Sequence, residues 1–351
     1  MNQEDVARLE ARLREWGATE EELDEARRTQ SFGDLALDLV VRPPGPLVTF
    51  EEAAARAGID AEEAARYWRA LGFPDPLKSG RRLSPDALSV LGLIAVGARD
   101  VLGEDATLAL ARVMGGATWQ VAQAVVDTFR VRFEAPQLAA GVPYAEVVET
   151  YVGVARELLP PFVDALGALF VRQLVAVAYG AWSADAEGVA TSRDVAVGFA
   201  DLVGWSTMSR TLSPAALVGV VDGFERVVAE VAGAHGGRVV KLIGDAAMFA
   251  ADDALSACRL GLEVAERVTS SQHLPPVRVG VAAGAVVSRN GDLFGDVVNL
   301  AARLVAVADE GSVVADEAVR ARVGDELRFE ALPPRSLKGF GAEAVAYRVR
   351  R

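Results

Sequence analysis

Along the C-terminal half of the chain, short apolar runs alternate with longer stretches in which apolar residues recur every three or four positions. Residues 195–202 read as a buried strand. Ser213-Pro214 then opens a helix, serine being a good N-cap and proline suiting the first helical position. Leu217, Val220, Val221, Phe224, Val228 and Val231 fall on one stripe of that helix before Gly236-Gly237 ends the pattern. Residues 238–243 and 246–250 predict a hairpin around Gly244-Asp245. A second helix over 253–268 and a further strand over 277–283 complete the order strand, helix, strand, strand, helix, strand, the split βαβ or ferredoxin-like arrangement. If the third strand pairs antiparallel to the first, its start lies beside the first strand's end, and Asp245 comes next to Asp201.

The N-terminal half has a different pattern, almost wholly helical over 1–182 and without a catalytic constellation. An acidic amphipathic helix over 5–28 places Val6, Leu9, Leu13 and Trp16 at helical spacing. After Arg42-Pro-Pro-Gly-Pro46, residues 49–63 open like a helix-turn-helix that continues through Tyr67, Trp68 and Leu71. A helix that reads DNA needs Arg, Lys, Asn or Gln aimed at base edges. Here the second helix offers mainly Glu62, Glu63, Arg66 and Arg69, which reads as a helical packing module. Residues 162–182 are the most apolar stretch, but they contain Asp164, Arg172 and Gln173 and follow Pro160-Pro161. Charges near the middle of a spanning helix are costly. The stretch therefore reads as a buried helix packing two domains or two chains, and its apolar character also admits a lipid-like ligand. Small polar residues over 183–194 read as a linker, giving a helical domain 1–182 and a second domain 195–351.

A chain of 351 residues exceeds what one hydrophobic core normally organises, which fits two domains. The balance of 36 basic against 49 acidic side chains, a net charge of −13, argues against bulk binding to nucleic acid or anionic membrane. Cys258 has no second cysteine to pair with and reads as a small buried hydrophobe. The first residues lack a basic start with an apolar core, so no signal peptide is expected and the compartment reads as cytoplasm. His235 and His273 read as surface residues near helix ends.

The chemistry is concentrated in the second domain. Asp201 and Asp245 each follow a strand-like segment, and paired hard oxygen ligands suit Mg²⁺ or Mn²⁺ and phosphoryl chemistry on a nucleotide. Asn299 and Arg303 stand four residues apart in a helical pattern, on one face, where an amide and a guanidinium suit a ribose and a phosphate. The chain has no Gly-rich run ending in Lys-Ser or Lys-Thr, no His-Glu-x-x-His and no cysteine pair for zinc.

These residues resemble the class III nucleotidyl cyclases, specifically the adenylate cyclases. The matching motifs are Phe199-Ala-Asp-Leu-Val-Gly-Trp205, Lys241 to Asp245, Arg278-Val-Gly-Val-Ala-Ala-Gly284, Gly291 to Arg303 and Leu337-Lys-Gly-Phe340. They occur in the family order and cover about residues 193–351. The resemblance implies an α+β ferredoxin-like βαββαβ catalytic domain preceded by an all-α regulatory domain. By the same resemblance, Asp201 and Asp245, with the backbone carbonyl of Leu202, hold two Mg²⁺ or Mn²⁺ ions. Lys241 and Asp292 match the pair that reads adenine; guanylate cyclases normally carry Glu and a small polar residue or Cys there. Asn299 matches the ribose-orienting residue, Arg303 the one that stabilises charge on the α-phosphate, and Lys338 a triphosphate-binding lysine.

The resemblance further implies conversion of ATP to 3′,5′-cyclic AMP and pyrophosphate in a head-to-tail homodimer, a monomer being nearly inactive. Only seven residues separate Gly284 from Asp292, which resembles the short-arm bacterial subgroup. The alternative is a DNA-binding or sensor protein whose cyclase-like half serves only for dimerisation.

Overall fold

The computed structural model describes residues 3–80, 82–182, 192–333 and 345–351. The chain divides into two compact units, Met1–Ala186 and Glu187–Arg351.

The first unit is built of helices: α1 (Gln3–Glu15), α2 (Glu20–Thr29), α3 (Phe32–Val41), α4 (Phe50–Ala57), α5 (Ala61–Ala70), α6 (Pro76–Ser79), α7 (Pro85–Val96), α8 (Glu104–Phe129), α9 (Ala135–Ala139) and α10 (Tyr144–Trp182). The single helix expected over 5–28 is two helices. Gly17 takes a left-handed φ of 101°, and the Thr19 side chain caps α2 in a reciprocal capping box with Glu22. The helix-turn-helix pattern is present as α4 and α5, joined through left-handed Gly58 and capped by Asp60. Among the described residues two cores hold this unit. One joins Leu9, Leu13, Leu23 and Phe32 to Ala145, Val148 and Val152 at the start of α10; the other joins Phe50, Ala53, Ala64 and Leu91.

Residues 162–182 are helical, as the sequence reading has them, but among the described residues of one chain the stretch is exposed rather than buried: Phe170 is 65% exposed and Val177 64%. The start of α10 packs into its unit through Ala145, Val148 and Val152. By length and composition alone α10 could cross a membrane, an 18-residue window within Tyr144–Ala178 having a mean hydropathy of 1.5.

The second unit carries β1 (Ser192–Leu202), α11 (Trp205–Met208), α12 (Pro214–Ala234), β2 (Arg238–Ile243), β3 (Ala246–Ala251), α13 (Ala254–Ser270), β4 (Val277–Arg289), β5 (Asp292–Phe294), α14 (Asp296–Val305), β6 (Val313–Ala315), α15 (Glu317–Val323), β7 (Arg328–Ala331) and β8 (Tyr347–Arg350). The strands form one sheet in the order β2-β3-β1-β4-β6-β8-β7, with β5 paired to β4. Its first four strands are the ferredoxin-like order that the apolar pattern predicts. β1 starts three residues before the expected Val195, and β4 runs six beyond the expected Ala283.

Helices α12 and α13 cover one face of the sheet around Phe224, Val228, Leu260 and Val264. On the other face α14 supplies Ala301 and Leu304 against Val197, Met248 and Ala282. The central strands are therefore buried on both sides, which is why their sequences read as continuous apolar runs.

Candidate active site

Asp201 ends β1, where the register sets it opposite Ala246 on one side and Arg278 on the other. The two-residue turn Gly244-Asp245 joins β2 to β3, and its tight geometry needs the left-handed φ of 63° at Gly244. Asp245 thus stands one residue before Asp201's partner in the ladder. The amide of Leu202 closes the arrangement by donating to the carbonyl oxygen of Asp245 at 3.1 Å. The antiparallel pairing anticipated for β1 and β3 is present and brings the two carboxylates to one sheet end.

Electrostatics mark the pair. The Asp201 carboxyl is pushed above its ordinary value, first by burial and then by the charge of Asp245, with Arg278 pulling the other way. A cation would relieve the repulsion. Two carboxylates leave room for water and phosphate oxygens in an octahedral shell, the set Mg²⁺ favours, so the donors fit that ion or Mn²⁺. Among the described residues no group of three or more His, Cys, Asp or Glu side chains gathers to form a fuller protein cage.

Lys241 lies on β2 at a point where the β2–β3 register shifts between Val239 and Lys241. Irregularities of this kind re-aim side chains and recur beside active sites. β4 continues past the main sheet and turns at Asn290-Gly291, both with left-handed φ, into β5. That short arm carries Asp292 to Lys241, whose Nζ stands 2.5 Å from Asp292 Oδ2. The other Asp292 oxygen accepts the backbone amide of Leu293 at 2.8 Å.

Asn299 and Arg303 lie one turn apart on α14, both exposed, while Ala301 and Leu304 face the sheet. Among the described residues Arg303 makes no ion pair, so its guanidinium is uncommitted. The structure therefore unites Asp201 with Asp245, Lys241 with Asp292, and Asn299 with Arg303. Among the described residues no hydrogen bond or ion pair links one couple to another. Lys338 lies outside the described residues, as does most of the 183–194 linker.

Arg278 is the neighbour that the sequence reading quoted in a motif without giving it a role. Its Nε is buried without a hydrogen-bond partner, and its nearest acidic contact is Glu310 at 3.7 Å. Only the β1–β4 register reveals that it faces Asp201. His235 is committed elsewhere: its Nε2 lies 2.7 Å from Glu263, and this hydrogen bond, followed by one from Arg267, holds the Glu263 carboxyl below its ordinary value.

Comparison with known proteins gives this geometry its family. Residues 189–349 match the model of the adenylate and guanylate cyclase catalytic domain. An adenylate cyclase of Streptomyces coelicolor is 36% identical over 267 residues, covering 76% of this chain and 69% of the relative. A pH-sensitive adenylate cyclase of Mycobacterium tuberculosis is 30% identical over 364 residues, covering 99% of this chain and 89% of the relative. Among solved structures, an adenylyl cyclase from P. aeruginosa superposes with a TM-score of 0.41 at 20% identity, covering 46% of this chain and 95% of that one. The chain belongs to the class III nucleotidyl cyclases, on the adenylate cyclase side of that family.

Proposed function

We propose that the protein converts ATP to 3′,5′-cyclic AMP and pyrophosphate at sites formed between the catalytic domains of a head-to-tail homodimer. The observation that carries this reading is the contact between Lys241 and Asp292. A cationic donor and an anionic acceptor held side by side complement the ring nitrogen and the exocyclic amine of adenine. GTP offers a carbonyl oxygen where ATP offers that amine, and Asp292 would repel it.

Asp201 and Asp245, with the Leu202 carbonyl, would hold two Mg²⁺ or Mn²⁺ ions. Bound there, the ions supply Lewis acidity to the ribose 3′-hydroxyl and neutralise the triphosphate. Lys241 and Asp292 orient the base, Asn299 the ribose, and Lys338 the triphosphate. Arg303 stabilises charge developing on the α-phosphate, preorganised donation of a kind whose loss costs roughly 2.7–4 kcal/mol. The 3′-oxygen forms a bond to the α-phosphorus, its proton passes to solvent, and the bond to the bridging oxygen breaks with its electron pair leaving on pyrophosphate. The uncommitted state of Arg303 in one chain supports a site completed by a second.

We take 1–182 as a regulatory domain acting through 183–194 on the catalytic domain 195–351, and the enzyme as cytoplasmic, where its substrate is. The test is cyclic nucleotide formation by the purified chain from ATP or GTP, in Mg²⁺ and in Mn²⁺, with Asp201→Ala alongside. Cyclic AMP from ATP, lost in the variant, is the expected result. No product from either the chain or residues 190–351 would leave a binding protein instead. Equal specific activity of chain and fragment under all conditions would remove the regulatory role.

A further inference from the structure

The two ends of β2 follow different alternations, and one residue reconciles them. Residues directly opposite one another in an antiparallel ladder share a face of the sheet. Val239 lies opposite Phe249, and both pack in the core beneath α12 and α13. Regular alternation from Val239 would put Lys241 on that same face. Instead Lys241 lies opposite Met248, which belongs to the core beneath α14, and Leu242 lies opposite Ala247, back on the first face. Val240 has no partner of its own in the ladder and packs against the α14 core as well. Val240 and Lys241 therefore stand side by side on one face against the single Met248, a β-bulge in which Val240 is the extra residue.

The site needs both alternations. Downstream of the bulge, Leu242 and Ile243 pair with Ala247 and Ala246 and so close the turn that sets Asp245 beside Asp201. Upstream, Val239 is keyed to the core beneath α12 and α13. The carboxylate that Lys241 meets arrives over the α14 face, because Leu293, next to Asp292 on β5, packs in the same core as Met248 and Ala250. β3 and β1 separate β2 from β4 within the sheet, so the amine reaches β5 across that face and not along the ladder. If Val240 were counted into a regular ladder, either Lys241 would turn to the far face or the Gly244-Asp245 turn would slip by one residue. A bulge also bends its strand and increases its twist, and this bend falls at Lys241.

We propose that Val240 is a positioning residue for base recognition: as the extra residue of the β2 bulge it holds Lys241 on the face where β5 presents Asp292, while leaving Asp245 beside Asp201. It acts through Lys241. The proposal rests on the reading of Lys241 and Asp292 as the base-reading pair, and its test separates the two.

The test uses the full chain and reads the ratio of kcat/KM for ATP to that for GTP, with thermal unfolding alongside. Lys241→Val should lower the ratio by about tenfold or more, since a site built to hydrogen-bond one base loses discrimination when its donor goes. An unaltered ratio in that variant would overturn the base-reading pair itself, and this proposal with it. Adding Val240→Lys to Lys241→Val should bring the ratio back towards the parent's, because position 240 shares the face. Adding Leu242→Lys instead should restore nothing: Leu242 is 43% exposed, so a lysine is accommodated there, but it lies on the other face. Deleting Val240 keeps every other pair of the ladder in register and removes the bend. That chain should still unfold cooperatively, with its ratio lowered about as far as in Lys241→Val. Restoration by both added lysines or by neither would overturn the proposal, as would a parental ratio after the deletion. Where only one of the Val240→Lys double variant and the deletion folds, that one decides. If neither folds, the bulge serves folding instead of recognition, and the proposal is overturned.

Discussion

A β-carbon placed on Gly280 of β4 would stand 2.4 Å from the carbonyl oxygen of Ala301 on α14, and 2.6 Å from the amide nitrogen of Val305. Both atoms are backbone, so no side chain can swing aside. The missing side chain at Gly280 is what lets α14 lie close on the sheet, and α14 carries Asn299 and Arg303. Gly280→Ala should lift that helix, costing about 1–3 kcal/mol in stability and lowering turnover more than tenfold. Gly219→Ala on α12 is the control. Its β-carbon meets open space within a helix, so stability should rise by about 0.5–1 kcal/mol with activity unchanged. Thermal unfolding and steady-state turnover of both variants check the pair.

Lys241 and Asp292 give a second expectation, in which specificity and stability part company. Their side chains are 40% and 28% exposed, so the ion pair adds little to folding, on the order of 1 kcal/mol or less. Lys241→Glu with Asp292→Cys should therefore leave unfolding nearly unchanged while shifting preference from ATP towards GTP. The ratio of kcat/KM for the two nucleotides is the measurement, and an unaltered ratio would remove these residues from base recognition.

Much of the catalytic half was legible because strand and helix periodicities differ and the central sheet is buried on both faces. The runs at 195–202 and 246–250 had no other reading, and their antiparallel pairing led directly to Asp201 beside Asp245. The short strands at Val313–Ala315 and Arg328–Ala331 were not legible, since three or four residues carry no period. Arg278 escaped for a different reason: its relation to Asp201 exists only in the pairing register. Within 5–28, left-handed Gly17 and the Thr19–Glu22 capping box signalled a break that the continuous apolar spacing concealed. The exposed part of α10 shows the limit of periodicity, because an apolar helix reads alike whether it is covered or exposed.

Cys258 should be inert in the folded protein. Burial pushes its thiol up to about 12, with the charges of Asp316 and Asp253 adding to the effect. The thiolate is the reactive form, so its population at pH 8 is negligible. Iodoacetamide should modify the native chain far more slowly than the chain in denaturant, as followed by mass spectrometry. Comparable rates would mean that α13 opens readily.

Asp201 supplies a prediction in which loss of function brings a gain in stability. Its carboxyl is raised above the ordinary aspartate value, so the fold favours the protonated form. The group's contribution is therefore most favourable below the unfolded value and is lost as pH rises through the folded one. At neutral pH the metal-free chain keeps a desolvated charge beside Asp245. Asp201→Asn removes that charge, so metal-free Asp201→Asn should melt higher than the parent chain at pH 7.5, with the difference shrinking as pH falls towards 4. Added Mn²⁺ with a non-hydrolysable ATP analogue should raise the parent's melting temperature and leave the variant's nearly unmoved, because binding to the native state stabilises it. Cyclase activity of the variant should drop by about a hundredfold or more. A variant that melts lower than the parent at neutral pH without metal would mean that the two carboxylates do not repel one another in the fold, and the case for a metal between them would lose its electrostatic support.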